Sequence, residues 1–248
     1  MLPQLEDPSL PLVNDSATPP RLSIVIPMLN EAAGIEAALA PLQSLRADSV
    51  EVIVVDGGST DNSVALATPL ADRVLACEPG RAQQMNHGAH QARAAALLFL
   101  HADTQFCPGD EEHAVENIAH ALNTYTWGRF DIRLAGQSRL LPMVSILMNL
   151  RSRCTGIATG DQGMFMRRET FLVVGGFPDQ PLMEDIELSK RLKTLASPAC
   201  LGAKVISSGR RWDKLGAWKT ILLMWRLRYR YWRGVSASQL AKEYHNAR

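Results

Sequence analysis

An acidic residue closes an apolar run in the segment 98–104, which reads LFLHADT and places Asp103 near its end. Such a run is typical of a buried strand, and ligands of open α/β sheets bind at the carboxyl ends of strands. A carboxylate there can hold a divalent cation against a diphosphate, since Mg²⁺ prefers oxygen ligands and shares them with substrate phosphates. Taken alone, Asp103 is explained more simply as a turn residue or a helix cap.

Two other apolar runs end in polar residues. Residues 22–26 lead to Asn30 and Glu31, and residues 50–55 lead to Asp56. Because parallel strands end at the same edge of a sheet, we expect all these side chains to line one crevice. Each is followed by a segment that can begin a helix, and helix N-termini favour bound phosphate. The pattern therefore predicts a nucleotide site, with a cation on the diphosphate.

The elements that must position these residues alternate between strand and helix. Pro27 is expected to end the first strand and Asn30 to cap a helix with Ile35, Leu39, Leu42 and Leu45 on its apolar face. Continuous apolar strands between helices predict a parallel sheet covered on both faces. In this half the predicted strands are 22–26, 50–55, 73–77 and 97–100, and a helix is predicted at 81–96.

The second half is less regular. We predict an exposed helix at 110–123, followed by an edge or antiparallel strand at 128–134 whose residues alternate in polarity. A helix at 185–195 should turn Ile186, Leu188 and Leu192 inward. The remaining predicted elements are an apolar helix at 140–153, a strand at 163–167 and a strand at 203–206.

Composition sets outer limits on function. With 248 residues, 46% of them hydrophobic and a net charge of +1, the chain is expected to form one large domain without bulk affinity for nucleic acid. The four cysteines show no CxxC spacing, which argues against zinc or disulfides and fits a reducing cytoplasm. No signal peptide is evident, residues 1–20 are expected to be a flexible tail, and the longest apolar stretch, 140–150, is too short to span a bilayer.

The order of several motifs resembles family 2 glycosyltransferases. The motifs are SIVIPMLNE at 23–31, VVDGGSTD at 54–61, FLHAD at 99–103, GGF at 175–177 and EDIEL at 184–188. A narrower resemblance, to a bacterial subgroup of small, soluble enzymes of mostly undefined acceptor, comes from GDQG at 160–163, PLMED at 181–185 and SGRRW at 208–212. The resemblance covers residues 21–212.

The resemblance implies a GT-A fold, which is a three-layer α/β/α arrangement with a mostly parallel mixed sheet. In it a Rossmann-like nucleotide half, expected at 21–104, is fused to an acceptor half at 105–212. Residues 213–248 would then form a basic, aromatic helical segment after the domain.

The resemblance also implies an inverting transfer from a nucleotide-diphosphate sugar, usually UDP-linked, with Mn²⁺ or Mg²⁺. Asp56 would contact the base, Glu31 the ribose or base, and Asp103 the metal, while Asp185 would be the catalytic base. Glu184 would position that base or hydrogen-bond the acceptor. His101 departs from the family, which usually has Asp there; the imidazole can bind a metal or a ribose hydroxyl, or be a core residue, but adds no negative charge.

Further candidates come from residue chemistry and position. Arginine donates two hydrogen bonds to phosphate from one plane, and residues between glycines on loops often recognise sugars. For each of these the alternative is an ordinary surface helix, a tight turn, or a solvated Arg pair beside a packed Trp. The nucleotide-sugar candidates are Pro27, Gly58, Arg81, Asn86 and Ala102, and the acceptor or diphosphate candidates are Asp161, Gln162, Arg210, Arg211 and Trp212.

The segment 218–233 mixes aromatic residues with arginines, and residues 209–248 hold ten Lys and Arg against Asp213 and Glu243. At helical spacing Trp218, Ile221, Leu222, Trp225, Tyr229 and Trp232 share one side. Three roles fit: a helix packed across the domain with basic residues outward, a peripheral contact with anionic lipid on the inner face of the membrane, or a homodimer contact. The second would suit a lipid-linked acceptor.

Two other functions compete with a glycosyltransferase. A sugar-phosphate nucleotidyltransferase usually has a glycine-rich, basic loop after its first strand, where this chain has the sequence PMLNE at 27–31. A nucleotide-sugar-binding protein without activity is favoured by His101 and opposed by the retention of Asp103 and Asp185.

Overall fold

The structure is a computed structural model that describes residues 19–47 and 49–246, together with the backbone but not the side chain of Arg211. All but the last two residues of the predicted N-terminal tail lie outside the described residues, and so does the side chain of Arg211, a predicted phosphate contact.

Eight strands in the described part form one sheet. They are β1 (Leu22–Met28), β2 (Val50–Asp56), β3 (Arg73–Ala76), β4 (Ala96–Phe99), β5 (Thr104–Phe106), β6 (Trp127–Ala135), β7 (Met164–Arg167) and β8 (Ala199–Ser208). Their order in the sheet is β3-β2-β1-β4-β7-β6-β8-β5. This one sheet contains strands from both predicted halves. It therefore does not test the predicted boundaries at residues 104 and 212, which stay predictions.

Helices cover the sheet. They are α1 (Ile35–Leu39), α2 (Gln43–Arg46), α3 (Ser63–Ala67), α4 (Arg81–Gln91), α5 (Glu111–Thr124), α6 (Leu141–Thr155), α7 (Arg168–Val173), α8 (Glu184–Lys193), α9 (Arg210–Leu215), α10 (Ala217–Trp232) and α11 (Ala237–Asn246). Short 3₁₀ turns occupy Ala40–Leu42, Thr68–Leu70 and Gly160–Gln162.

The direction of the strands creates a crevice at one edge. Strands β3, β2, β1 and β4 are parallel, and the chain passes from β1 to β2 and β3 on one side before it returns to β4 on the other. Ligands of open sheets bind at such a topological switch point, where the strand order reverses. The acceptor half then adds β7, which is antiparallel to both β4 and β6, while β8 is parallel to β6.

Two apolar clusters lie on opposite faces of the sheet. Ile24 and Leu98 belong to the cluster that includes Leu39 of α1, whereas their neighbours Val25 and Phe99 belong to the cluster that includes Met85 of α4. This period of two along the strands is the mark of a sheet buried on both faces. The predicted three-layer arrangement is therefore confirmed.

Pro27 does not end the first strand, as the sequence analysis predicted. Strand β1 continues to Met28, and Pro27 is paired in register with Val55 and buried. The pairing of β1 with β4 runs only as far as Val25, so Pro27 has a neighbour on one side alone. A missing N–H is tolerated at such an edge position.

Strand β6 is central rather than an edge strand, so that part of its prediction was wrong. It is antiparallel to β7, as predicted, but parallel to β8, and its first six residues are buried. Its polar residues suggested a solvent face, yet Arg129 and Asp131 pair with each other, and Arg153 of α6 binds the same carboxylate at 2.6 Å. The alternation of polar and apolar residues in β6 therefore comes from a charge pair inside the protein and not from a solvent-exposed face.

Two helix predictions also need correction. Helix α5 was expected to be exposed, but Ala114, Val115 and Ile118 are buried against the sheet. The helix predicted at 81–96 ends at Gln91, because the chain turns there into β4. Helix α8 agrees with prediction, with Ile186, Leu188 and Leu192 buried.

A buried carboxylate ties the first strands together. Glu51 of β2 is 2% exposed and accepts hydrogen bonds from Ser23 Oγ at 2.7 Å, Arg93 N at 3.0 Å and Arg93 Nε at 2.8 Å. Ser23 Oγ in turn accepts a bond from the backbone of Ala94. The network fixes the segment between α4 and β4, and so the start of the strand that leads to Asp103.

Glu51→Ala is expected to lower the free energy of unfolding by about 2–4 kcal/mol, because it leaves buried donors unpaired. Urea unfolding followed by circular dichroism measures this. Glu78→Ala, which removes an exposed loop carboxylate, should change stability by less than about 0.5 kcal/mol. Equal effects of the two changes would show that the network does not stabilise the fold.

Candidate active site

The loop after β2 is held by the carboxylate of Asp56. Both Gly58 N and Ser59 N donate to Asp56 Oδ2 at 3.0 Å, and Gly58 has a left-handed φ of 90° that favours glycine. Asp56 is 6% exposed. The carboxylate thus shapes the turn at the crevice, which is the capping role considered for it, and its base contact stays a prediction.

Asn30 supports the same loop rather than capping a helix. Its Oδ1 accepts a hydrogen bond from Thr60 N at 2.9 Å, and its own N–H donates to Ser59 Oγ at 2.8 Å. The first helix begins only at Ile35, with Gly34 before it, so the predicted helix cap is wrong. The left-handed backbone of Asn30, at φ 52°, turns the chain toward the β2 loop instead.

Arg210 joins two of the predicted acids. Its Nη2 lies 3.0 Å from Glu31 Oε2 and 3.6 Å from Asp103 Oδ2. The hydrogen bond to Glu31 is the largest cause of a raised pKa at Arg210, and the charge of Asp103 adds to it. A cation from the start of α9 therefore stands between the ends of β1 and β4.

Asp103 lies in a turn and not before a helix. Thr104 N donates to His101 O at 2.9 Å, which closes the turn, and β5 follows directly. The expectation that a helix begins after Asp103 was therefore wrong, and no helix N-terminus lies there to hold phosphate. Its side chain is 33% exposed, which leaves its carboxylate accessible from the crevice.

His101 faces the acceptor half. Its Nδ1 lies 3.0 Å from Asp161 Oδ1, while Nε2 is buried without a hydrogen-bond partner and lies against Gly160. A Cβ on Gly160 would collide with this ring nitrogen. In this arrangement His101 positions Asp161 through Nδ1, and its role as a metal ligand stays a prediction.

The donor set fits a cation that is shared with a ligand. Among the residues described, no three His, Cys, Asp or Glu side chains come together to hold a metal ion. Asp103 offers carboxylate oxygens at the open edge, and Glu31 lies across the crevice from it with Arg210 between them. Mg²⁺-type cations commonly bind one or two carboxylates and complete their shell with phosphate and water. The residues present fit that kind of site, and do not fit a cation held by protein alone.

Asp185 is fixed at the first turn of α8. Its Oδ2 accepts a hydrogen bond from Gly160 N at 2.9 Å, and its Oδ1 accepts one from Ile186 N at 2.7 Å. Met183, just before the helix, has a left-handed φ of 65°, which turns the chain sharply into α8. Each carboxylate oxygen keeps a lone pair for a further partner.

Glu184 is buried beside Asp185. Burial raises the pKa of the Glu184 carboxyl, the negative charge of Asp185 raises it further, and Arg81 partly opposes both. Arg81 Nη1 lies 3.5 Å from Glu184 Oε1. Although desolvation lowers the pKa of Arg81, the charge of Glu184 and the other carboxylates of the site outweigh it and raise that pKa.

Several predicted contacts face away from the crevice. Gln162 is fully buried, accepts from Thr159 N at 3.1 Å and donates to Asn149, so it fixes the 3₁₀ turn and cannot meet a ligand as predicted. Asn86 bonds both the N–H and the C=O of Phe177, at 2.9 and 2.8 Å, and is likewise occupied. Ala102 and Pro27 are buried, which leaves only their backbone for a ligand.

Trp212 packs on the acceptor side of the fold. It is partly buried against the cluster formed by Ile132, Leu134, Leu141 and Val144. Asp213, in the same helix, accepts hydrogen bonds from Gln137 N and Ser138 N. These contacts hold α9, and with it Arg210, over the crevice.

Two arginines reach the surroundings of Asp185 without having been predicted. Burial, followed by the positive charge of Arg228, lowers the pKa of Arg151 to about 10, while Asp185 acts in the opposite direction. Burial also lowers the pKa of Arg228, again against Asp185. Arg151 lay in an apolar helix and Arg228 among residues expected to face outward. Nothing in the sequence pattern of either helix marks these two positions.

Helix α10 exposes its aromatic stripe. Trp218, Leu222, Trp225, Tyr229 and Trp232 are 58–75% exposed, at spacings that place them along one face. The opposite face packs through Leu223, Met224 and Leu227 against Met183 and Ile186. The aromatic side therefore faces outward. This contradicts the first of the three predicted roles, in which the helix packs by this side across the domain with its basic residues outward. In the part of the chain that is described, no helix is both long and apolar enough to cross a membrane.

The sequence profile of glycosyl transferase family 2 matches residues 23–172. This chain belongs to that family. The match includes Glu31, Asp56 and Asp103, and it ends before α8, so that it does not extend to Asp185.

Two curated relatives share part of the chain. The PGL/p-HBAD biosynthesis glycosyltransferase of Mycobacterium bovis (strain BCG / Pasteur 1173P2) is 35% identical over 98 residues, 37% of this chain and 38% of that protein. The undecaprenyl-phosphate 4-deoxy-4-formamido-L-arabinose transferase of Serratia proteamaculans (strain 568) is 28% identical over 168 residues, 59% of this chain and 48% of that protein. The chain thus spans less than half the length of either relative.

Solved structures confirm the GT-A fold. The mannosyltransferase PcManGT from Pyrobaculum calidifontis, in complex with GDP-Man and Mn²⁺, has a TM-score of 0.60 at 22% identity, covering 86% of this chain and 61% of that one. S. aureus TarS 1-349, in complex with UDP, has a TM-score of 0.61 at 20% identity, covering 76% of this chain and 60% of that one.

Glu184→Gln is expected to stabilise the protein above about pH 5 and to have little effect near pH 3. A carboxyl whose pKa is raised on folding stabilises the native state only below its unfolded pKa of about 4, and that contribution is lost as pH rises through the folded pKa. Removing the charge should raise the melting temperature by a few degrees at pH 8, at about 2–4 °C per kcal/mol for a chain of this size.

Thermal unfolding from pH 3 to 8 measures the effect. Glu169→Gln, at an exposed position of α7, is the control and should leave the pH profile of the wild type unchanged. A Glu184→Gln protein that is less stable than the wild type at pH 8 would contradict a raised pKa.

Proposed function

We propose that the chain is an inverting glycosyltransferase that moves a sugar from a nucleotide-diphosphate donor to an acceptor bound beside Asp185. The observation that carries the proposal is the placement of Arg210 between Glu31 and Asp103, at 3.0 and 3.6 Å, with Asp185 linked to the same crevice through Gly160 and Asp161. Donor-binding and base groups are thereby held on one rigid frame, which is the arrangement that a displacement reaction requires.

The donor would lie across the carboxyl ends of β2, β1 and β4. Asp56 and Glu31 would bind base and ribose through their oxygen atoms, and Arg210 would donate to the diphosphate. The neighbours with the same fold bind GDP-Man in one case and UDP in the other, as their descriptions state. We favour a UDP-linked donor, as expected from the motifs, with a GDP-linked donor as the alternative.

A divalent cation, Mn²⁺ or Mg²⁺, would be held by Asp103 and would neutralise charge on the leaving diphosphate. PcManGT was solved with Mn²⁺. The bond between Arg210 and Asp103 is long, at 3.6 Å, and Arg210 has Glu31 as its closer partner. Asp103 can therefore turn to a cation without leaving Arg210 unpaired.

Asp185 would act as the base. It would accept the proton of the acceptor hydroxyl as the oxygen attacks the anomeric carbon from the side opposite the diphosphate, which inverts that carbon. Its hydrogen bonds to Gly160 and Ile186 hold the carboxylate in place for this transfer. Glu184, buried and paired with Arg81, would position Asp185.

The competing functions are less well supported. A nucleotidyltransferase would need a glycine-rich phosphate loop after β1, where Asn30 instead supports the β2 loop. A binding protein without activity needs no base, whereas Asp185 is fixed by two backbone donors beside the crevice.

The outer face of α10 suggests where the protein encounters its acceptor. We infer that the exposed stripe docks on a bilayer with anionic lipid, because its aromatic residues are flanked by exposed Lys219 and Arg233 at the two ends of the helix. One relative is named for transfer to undecaprenyl phosphate. A lipid-linked acceptor would then approach Asp185 from the membrane side.

Asp103→Asn should lose the effect of metal on donor binding while Asp185→Asn keeps it. A thermal-shift screen of nucleotides and nucleotide sugars, with and without Mn²⁺, identifies the donor, since a ligand of the native state raises its melting temperature. Calorimetry then measures its affinity. We expect Mn²⁺ to strengthen binding about tenfold or more in the wild type and Asp185→Asn, and to have no effect in Asp103→Asn.

Asp185→Asn should also slow the breakdown of the bound donor by about 10²-fold or more, whether water or a sugar is the acceptor. No stabilisation by any nucleotide sugar would exclude the proposed function. Normal turnover by Asp185→Asn would exclude Asp185 as the base.

Replacing both Leu222 and Trp225 by Asp should abolish sedimentation with vesicles of phosphatidylglycerol and phosphatidylcholine. Each apolar side chain contributes about 1.5–3 kcal/mol when buried, so the double change should weaken binding by at least about 100-fold. Val173→Asp, at a 69% exposed site on α7, is the matched control and should sediment like the wild type.

A wild-type chain that does not pellet with these vesicles would contradict the membrane contact. Sedimentation equilibrium then tests the remaining role, because a homodimer that Leu222→Asp with Trp225→Asp dissociates would assign the stripe to a second copy of the chain.

A further inference from the structure

We propose that Arg151 and Arg228 form a phosphate-binding subsite on the acceptor side of Asp185, and hence that the acceptor carries a phosphate group. The inference rests on the proposed function, which it deepens by naming the chemical class of the acceptor. It concerns residues from α6 and α10, outside the motifs that suggested the donor site.

The end of α6, the start of α8 and the middle of α10 meet at one apolar cluster. Leu227, next to Arg228, belongs to this cluster together with Ile186, next to Asp185. Ile157, two residues after the end of α6, packs against the same cluster. Besides burial, the charge of Arg228 lowers the pKa of Arg151, and the charge of Asp185 acts to raise the pKa of both arginines. Both arginines therefore lie in the neighbourhood of Asp185.

Arg151 lacks partners that a buried cation needs. Its Nε and Nη2 atoms are buried, and no atom in the described part of the chain accepts a hydrogen bond from either. Apart from burial, the charge of Arg228 lowers the pKa of Arg151 more than the charge of Asp185 raises it. Buried donors without partners and two adjacent like charges both cost stability. A bound anion would remove both costs at once.

The chemistry of the pair favours phosphate. A guanidinium donates two parallel hydrogen bonds, and two such groups match the oxygens of one phosphate. The diphosphate of the donor has its own partner in Arg210, which stands between β1 and β4. Arg151 and Arg228 lie instead beside the base, where the acceptor must be held for its nucleophile to reach the sugar.

The surroundings add a preference for an apolar group next to the phosphate. Ile146, Leu147 and Leu150 of α6 are 49–65% exposed, and Leu222 and Trp225 of α10 are 63% and 66% exposed. Each of the two helices that carry the arginines thus exposes apolar side chains. A phosphate attached to a hydrocarbon chain would place its charge on the arginines and its chain along these side chains.

The test measures phosphate binding apart from donor binding. Full-length protein is saturated with the nucleotide found in the donor screen and with Mg²⁺, and inorganic phosphate is titrated by calorimetry. Hexyl phosphate, used below its micelle concentration, is the second probe. The variants are Arg151→Gln, Arg228→Gln and Arg228→Lys, and the control is Arg226→Gln, whose arginine is exposed on the same helix and pairs with Glu243.

We expect phosphate to bind in the presence of nucleotide and hexyl phosphate to bind more tightly. Each Gln variant should lose about tenfold in affinity for phosphate, Arg228→Lys should lose less, and Arg226→Gln should match the wild type. Nucleotide affinity should be unchanged in all of them. Arg151→Gln should also melt no lower than the wild type, because it removes an unpaired buried charge.

Three results would overturn the subsite: phosphate that does not bind, phosphate that competes with the nucleotide, and equal losses in Arg226→Gln. Binding to phosphatidylglycerol vesicles that is weakened in Arg151→Gln, without any loss of phosphate binding in solution, would assign the pair to lipid headgroups and also reject the inference. Failure of the proposed function has a different signature, since nucleotide sugars would then not bind while phosphate still did.

Discussion

The site depends on the order of the strands around β1. Because β2 and β3 lie on one side of β1 and β4 lies on the other, the ends of β1 and β4 open onto a crevice. Glu31 and Asp103 stand on its two sides, and Arg210 reaches over from the far end of the sheet to pair with both. The order of strands therefore decides that two acids, separate in sequence, face one cation.

A short 3₁₀ turn connects this crevice with Asp185. His101, beside Asp103, holds Asp161 through its ring, and Gly160, the preceding residue, donates its N–H to Asp185. Gly160 has no room for a side chain, because the imidazole lies against it. The distance between donor side and base is thus set by backbone and by one ring rather than by flexible side chains.

Local pattern was enough to predict the strands of the nucleotide half, since β1, β2 and β4 are mostly apolar runs with an acid at the end or a few residues later. The sequence pattern gave wrong predictions where polar residues find partners inside the fold. In β6, the charges of Arg129 and Asp131 cancel in the interior. The predictions for Gln162 and Asn86 failed for a related reason, because partners inside the protein occupy both side chains: Thr159 and Asn149 for Gln162, and Phe177 for Asn86. Arg151 and Arg228 depend on two helices meeting, which no spacing within either helix reveals.

The exposed aromatic stripe of α10 also determines the intrinsic fluorescence of the protein. Of its five tryptophans, Trp127 is fully buried and Trp212 partly so, while Trp218, Trp225 and Trp232 all stand on the exposed face of this one helix. Indole emission shifts with the polarity around the ring, so three of the five chromophores report on that face. Whatever surface covers α10 will therefore change the intrinsic fluorescence of the unlabelled chain.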